Sequence, residues 1–201
     1  MVDVDTIQDR LKQYFSVWGT THINPETGIV DVDGRVELIE PISQLPVQFG
    51  KVTGGFLCNE KRLESLVGAP RTVGEQFSCR GNRLTSLEGG PKWVGGNYGC
   101  SNNQLMSLVG APVHVGTSFQ VDENPLQSLE GMPEHIGKEI WLLYDPHLPL
   151  LRLLTVKRCI LSYGPVSVKE ILKKYQGQGK PGAIRAAAEL AKAGFKGNAK
   201  W

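Results

Sequence analysis

Long apolar runs are missing from this 201-residue chain. None approaches the ~18 residues of a membrane-spanning helix, and the first residues carry no basic-then-apolar leader pattern, so a soluble chain is expected. Metal-ligand spacings are missing too. The four cysteines include no CxxC pair and have no histidine nearby, whereas a metal site needs convergent ligands. Histidine is scarce: His22, His114, His135 and His147 fall in loops or on a return arm, with no nucleophile column beside them. His114 and His135 share one column of the repeat described below, opposite Thr72 and Lys92 in neighbouring units, which marks a tolerant surface position. Acidic residues are scattered, with no pair that fixed geometry would bring together. No catalytic constellation assembles, so a non-enzymatic chain without cofactor or metal is expected.

What the chain has is a period. From about Gly54 to Leu143 it repeats every 21 residues: GEQFSCRGNRLTSLEGGPKWV, GGNYGCSNNQLMSLVGAPVHV and GTSFQVDENPLQSLEGMPEHI are successive units. An aromatic column runs Phe56, Phe77, Tyr98, Phe119 and on to Ile140, and a second apolar column runs Cys58, Cys79, Cys100, Val121, Leu142. Leucine columns start at Leu63 and Leu66, followed by columns from Gly68, Pro70 and Val73. A sustained period between 20 and 29 residues is the mark of a leucine-rich-repeat type of solenoid. Its 201 residues, 24 of them glycine, then read as one solenoid domain whose excess glycine serves the turns rather than disorder.

One unit explains the columns. Phe77 and Cys79 alternate with period two, pointing inward from a short strand while Gln76, Ser78 and Arg80 point out. Asn82, with Asn103 and Asn124 in its column, follows three residues later. This spacing resembles the LxLxxNxL core of leucine-rich repeats, which implies an asparagine inside each turn bonding backbone groups of adjacent coils. Lys61 and Asp145 replace it at the two ends, where the ladder should weaken. The SLxGxP arm is too rich in glycine and proline for a helix, so an extended or polyproline-like convex side is expected, similar to short bacterial repeats of IpaH-type effectors. Those effectors place a catalytic cysteine in a large domain after the repeats. These 201 residues leave no room for that domain and carry no matching motif, so that activity is not expected, and Cys159 lies in an apolar, strand-like run. The three column cysteines read as a ladder of small buried hydrophobes.

The string VGGNYGCSNNQLMSLVGAPVHV also resembles repeats of uncharacterised leucine-rich-repeat proteins of large tailed bacteriophages, as do the lead-in INPETGIVDVDGRVELIEPISQLPVQFGKV and the tail AAAELAKAGFKGNAKW. The resemblance implies the cytoplasm of an infected host cell and no shared activity.

The fold expected is therefore an α+β repeat solenoid: a cap of helix and hairpin over residues 1–40, coils with a parallel β-ladder over 41–145, and a C-terminal cap with two short helices over 146–201. Val4 to Trp18 reads as an amphipathic helix, capped by Asp3 or Asp5 and stopped at Gly19, with Ile7, Leu11, Phe15 and Trp18 as one stripe. The stripe covers the open end of the core or, alternatively, binds a partner. Residues 19–27 read as a loop, and Asp33-Gly34 as the turn of a hairpin between 29–32 and 35–38. A calcium loop is the weaker reading of DVDG, which lacks the further acidic ligands. Ile42, Leu45 and Val52 stand 21 residues before Leu63, Leu66 and Val73, a degenerate first coil. After Leu143 a break at residues 145–149 and a leucine-rich patch lead to a final strand over Lys157–Tyr163. Two helices follow, Val168–Tyr175 capped by Ser167 and Ala183–Ala193. GQGKPG between them reads as a flexible turn, since its spacing is not that of a phosphate-binding loop.

Two surfaces carry candidate function. Outward strand positions make two rows on the concave face, Leu57, Ser78, Gly99, Gln120, Trp141 and Asn59, Arg80, Ser101, Asp122, Leu143. Concave faces are where solenoids bind partners, and an open Trp beside Leu is a hot-spot composition, unless Trp141 lies under the C-terminal cap. The expectation is a module binding a host defence, host metabolic or phage protein. Net charge is +2, but residues from Leu151 onward carry +9 and the first 150 carry −7. Solvated helix faces explain this; the alternative is nucleic-acid binding through Arg152, Lys157, Arg158, Lys169, Lys173, Lys174, Lys180, Arg185, Lys192 and Lys196. A structural part of the virion is a third reading. Monomer and dimer are equally compatible with the sequence.

Overall fold

Each 21-residue unit closes one coil, because its two apolar strand pairs must both face inward and its glycines let the chain turn between them. The computed structural model describes residues 2–201 as a parallel β-solenoid. Helix α1, Val4–Tyr14, comes first, with Asp3 as N-cap accepting a bond from the Thr6 amide. Strands β1, Phe15–Ile23, and β2, Val30–Leu38, follow and pair antiparallel along their whole length. Then come β3 Phe49–Val52, β4 Phe56–Leu57, β5 Thr72–Val73, β6 Phe77–Ser78, β7 Trp93–Val94, β8 Tyr98–Gly99, β9 His114–Val115, β10 Ser118–Gln120, β11 His135–Ile136 and β12 Glu139–Leu143. A 3₁₀ turn, Leu151–Thr155, precedes β13, Cys159–Ser162, and the helices α2, Val166–Tyr175, and α3, Gly179–Lys192.

Two parallel ladders run along the coils. The first takes β2, β4, β6, β8, β10, β12 and β13; the second takes β2, β3, β5, β7, β9 and β11. The return arm is thus not merely extended: the residues after each column proline pair with the next coil, Val52 with Val73, Val73 with Val94 and Val94 with Val115. The same register joins Ile42 and Val52 to the following coil, as the degenerate first unit requires.

Between the ladders sits a corner, and the corner needs glycine. A Cβ at Gly74, Gly95, Gly116 or Gly137 would lie 1.9–2.2 Å from a carbonyl oxygen of the preceding coil. Asp33-Gly34 is the first such corner rather than a hairpin turn. β2 runs through it, giving Val30 and Val32 to the second ladder and Val36 and Glu37 to the first. β1 bends with it at Gly19, directly opposite Gly34. The helix accordingly stops at Tyr14, not Trp18. Phe15 and Val17 are inside the β1–β2 pairing, and Phe15 meets Phe49 edge-on with ring centroids 5.1 Å apart. Residues 19–23 are strand, and the chain reverses instead at Asn24–Gly28, where Asn24 Oδ1 accepts the amides of Glu26 and Thr27.

Inside, the aromatic column stacks coil on coil, Phe56–Phe77 at 5.8 Å, Phe77–Tyr98 at 5.0 Å and Tyr98–Phe119 at 5.5 Å between centroids. Such pairs contribute about 0.5–1.5 kcal/mol each beyond their buried area. The asparagine column does what its residue type allows. Asn82 Oδ1 accepts from the amides of Lys61 and Leu63 at 3.0 Å, while Nδ2 donates to the carbonyls of Cys58 and Cys79. Asn103 and Asn124 repeat both donations one and two coils on, each accepting one amide, that of Leu84 and of Leu105. At the first coil Lys61 substitutes with one bond of its ammonium to the Ile39 carbonyl.

The C-terminal cap differs from expectation in detail. α2 begins at Val166 behind Pro165, with Ser167 inside it and no side-chain cap. α3 begins at Gly179, so four of the six residues of GQGKPG are helical and only Gly177 and Gln178 of it turn the chain. Asn198, fully buried, ties the tail down by donating to the carbonyls of Asp145 and Leu148 and accepting from the Tyr144 hydroxyl. No helix is long and apolar enough to cross a membrane among the described residues.

Candidate functional site

The outward rows are less open than strand alternation alone implies. Ser78, Gly99 and Ser101 are buried, because longer neighbours in adjacent coils fold over them. Asn59 Oδ1 accepts the Ser78 hydroxyl at 2.6 Å and the Arg80 amide at 3.0 Å, and the Ser101 hydroxyl donates to Asp122 at 2.7 Å. Arg80 crosses Gly99 so closely that a Cβ there would sit 2.7 Å from Nε. That Nε is shut from solvent and has no hydrogen-bond partner among the described residues. Leu57 and Gln120 are half-buried.

What remains accessible is a groove of about 400 Å³ bordered by Glu60, Arg80, Asn102, Gln120, Asp122 and Trp141. Trp141 is not under the cap: it is 36 % exposed, and Leu143 beside it 39 %. The strand that follows them, β13, extends the ladder instead of crossing its face, pairing Trp141 with Ile160 and Leu143 with Ser162. The indole N–H donates to Glu139 at 2.9 Å, and the other oxygen of Glu139 lies 3.5 Å from Arg158. The ring is therefore held in one orientation while its face stays available.

A further column along this groove escaped sequence reading. Glu60, Gly81, Asn102 and Glu123, 21 residues apart, all have φ between +56° and +66°. Gly and Asn tolerate that left-handed conformation, whereas glutamate is strained there. The periodic Gly and Asn were the available signal. On the opposite side, His114 is paired with Trp93, not Lys92. Trp93, His114 and His135 stack with centroids 5.4 and 4.5 Å apart. Burial first, and the neighbouring His135 second, push His114 below its ordinary value.

The column cysteines are sealed in the core. Cys58, Cys79 and Cys100 are buried, and each Sγ faces the carbonyl of the next coil at 3.3–3.6 Å. Burial raises all three, Cys79 to about 12, which keeps these thiols protonated. Cys159, half-buried on β13, is raised to about 12 by the same cause.

The basic residues do not form one stripe. Lys157, Arg158, Lys169 and Lys173 border a single groove of about 490 Å³ between β13 and α2. Lys174 is instead paired with Glu189 at 2.7 Å, and Arg185 donates to Gln178 and lies over the Tyr175 ring. Lys180 stands at a separate apolar cavity of about 750 Å³ lined by Leu151, Leu154, Ile184 and Trp201. Arg152 is half-buried in the 3₁₀ turn, and Lys192 and Lys196 are exposed at and beyond the end of α3.

These features define the chain as a parallel β-solenoid with an N-terminal helix and antiparallel strand pair and C-terminal helices. No family model, curated protein or solved structure matches it.

Proposed function

We propose that the protein is a non-enzymatic protein-interaction module that binds a partner protein across the outward face of the first ladder. The observation that supports this most is Trp141, an oriented and solvent-open indole beside Leu143 at the end of a polar groove. A large ring held by a hydrogen bond loses little freedom on binding and offers a broad apolar surface, the composition of an interface hot spot. Glu60 and Glu123 add to the reading. Both keep carboxylates on the groove at backbone positions where glycine would be less strained, a cost that fits a role for those carboxylates beyond stability. The resemblance of the repeats to phage proteins supplies the setting, an accessory protein in the cytoplasm of an infected bacterium that meets a host or phage protein.

The test is capture from nuclease-treated lysate of infected cells, comparing tagged wild-type chain with a Leu57→Ser, Arg80→Ala, Trp141→Ala variant. One stoichiometric protein retained by the wild type and lost by the variant, at unchanged melting temperature, is the expected result. Equal capture by both chains removes this face from the binding reaction.

A further inference from the structure

β13 ends the first ladder, and among the described residues no strand but β12 pairs with it. Its inner edge bonds β12 through Arg158 and Ser162, whose carbonyls accept the Ile140 and Tyr144 amides. In a parallel pair the bonding residues alternate, so Cys159 and Leu161 turn their N–H and C=O groups to the outer edge. No backbone bond is made from that edge among the described residues. The β13–α2 groove opens along it, with Cys159, Leu161 and Leu172 among its apolar lining and Lys157, Arg158, Lys169 and Lys173 around it. Arg158 is tied to Glu139, while the three lysines make no ion pair among the described residues. Among the described residues no acidic side chain lines the groove itself.

We propose that this groove binds an extended acidic peptide, which adds to β13 as a further strand and sets its carboxylates against Lys157, Lys169 and Lys173. An unpaired strand edge supplies main-chain bonds that any extended chain can make, and the flanking charges then select which chain does. The same lysines repel a second copy of β13, which guards the edge against self-pairing. Nucleic acid fits less well. Among the described residues no aromatic side chain lines the groove to stack a base, and Tyr163 and Tyr175 lie outside it. This site does not depend on the Trp141 face, and the two can fail separately.

The experiment is fluorescence anisotropy of the full chain with labelled hexapeptides at low salt. One alternates glutamate and valine, one alternates lysine and valine, and one is the glutamate peptide N-methylated at alternate residues; an oligothymidylate of equal charge is the fourth probe. The glutamate peptide binds and weakens as salt rises, and N-methylation lowers its affinity at least about tenfold by deleting strand bonds. The exposed-site variant Lys157→Glu, Lys169→Glu, Lys173→Glu loses the glutamate peptide at least about tenfold and gains the lysine peptide. Absence of glutamate-peptide binding, equal binding of its N-methylated form, or preference for the oligothymidylate each overturns the proposal. The N-methyl comparison uses wild-type chain, so it decides even if the charge-reversed variant misfolds.

Discussion

The two ends of this solenoid are closed by different physics. At the N-terminal end one unbroken strand, β2, feeds both ladders, and β1 covers its other edge over nine residue pairs. At the C-terminal end only one ladder is prolonged: β13 follows β12, while the second ladder stops at β11. There closure falls to side-chain packing by the 3₁₀ turn, α2, α3 and the tail held by Asn198. Both ends therefore finish on a strand paired along one side only among the described residues, β1 at one and β13 at the other. β13, however, opens on a groove bordered by three lysines that make no ion pair among those residues. Trp141, Leu143 and the lysine-bordered groove, the features on which the two proposed binding surfaces turn, all lie at the second end.

Breaking the first kind of closure should cost most. Gly34→Ala places a Cβ 2.0 Å from the Trp18 carbonyl oxygen at φ +147°, and a loss of at least about 4 kcal/mol in urea unfolding is expected. A two-state transition of unchanged midpoint would mean that the corner is not held as described. Within the coils between the ends, Asn103→Ala strands the Leu84 amide and the carbonyls of Cys79 and Cys100, a cost of about 3 kcal/mol. At the other end Asn198→Ala should cost about 2 kcal/mol. Its signature is faster amide exchange over residues 145–151 with the central coils unaffected. Global loss of protection would make the C-terminal cap part of the same cooperative unit as the coils.

Two smaller changes sharpen the contrast between faces. Glu123→Gly relieves a left-handed glutamate and should raise stability by up to about 1 kcal/mol while weakening partner binding. The last concerns pH. His114 is held below 6.5 in the folded chain, by burial above all, so the unfolded chain binds its proton more readily. The stabilisation is therefore complete above that value and falls as pH drops through the folded pKa. A slightly lower melting temperature at pH 5.5 than at 7.5 is expected, and His114→Gln should reduce the difference. An increase in stability on acidification would contradict the assignment.

Much of the fold is legible because every column can be checked by adding 21. Asn82, Asn103 and Asn124 declare their role by position, and the apolar columns declare the core. The corner column of Gly74, Gly95, Gly116 and Gly137 was readable by the same rule. Asp33-Gly34 misleads for a physical reason: a chain reversal and a corner between ladders both demand a residue free of a Cβ. Only the distant pairing of Gly34 with Gly19 distinguishes them. Phe15 and Trp18 likewise fit helical spacing by accident, and their strand is settled by β2. The candidate surface was legible at Trp141 and Leu143, where alternation alone suffices. It was not legible at Ser78, Gly99 and Ser101, whose burial depends on how Arg80 and its neighbours fold across the coils. Asn198 carries no periodic signal at all, since its partners lie some fifty residues earlier.

The open outer edge of β13, set against β2 with partners on both sides, is tested most directly by residue-resolved amide exchange on the free chain. Slow exchange throughout Val30–Leu38, with slow Ile160 and Ser162 alternating with fast Cys159 and Leu161, is the predicted pattern. Uniform protection across β13 would show its outer edge already satisfied.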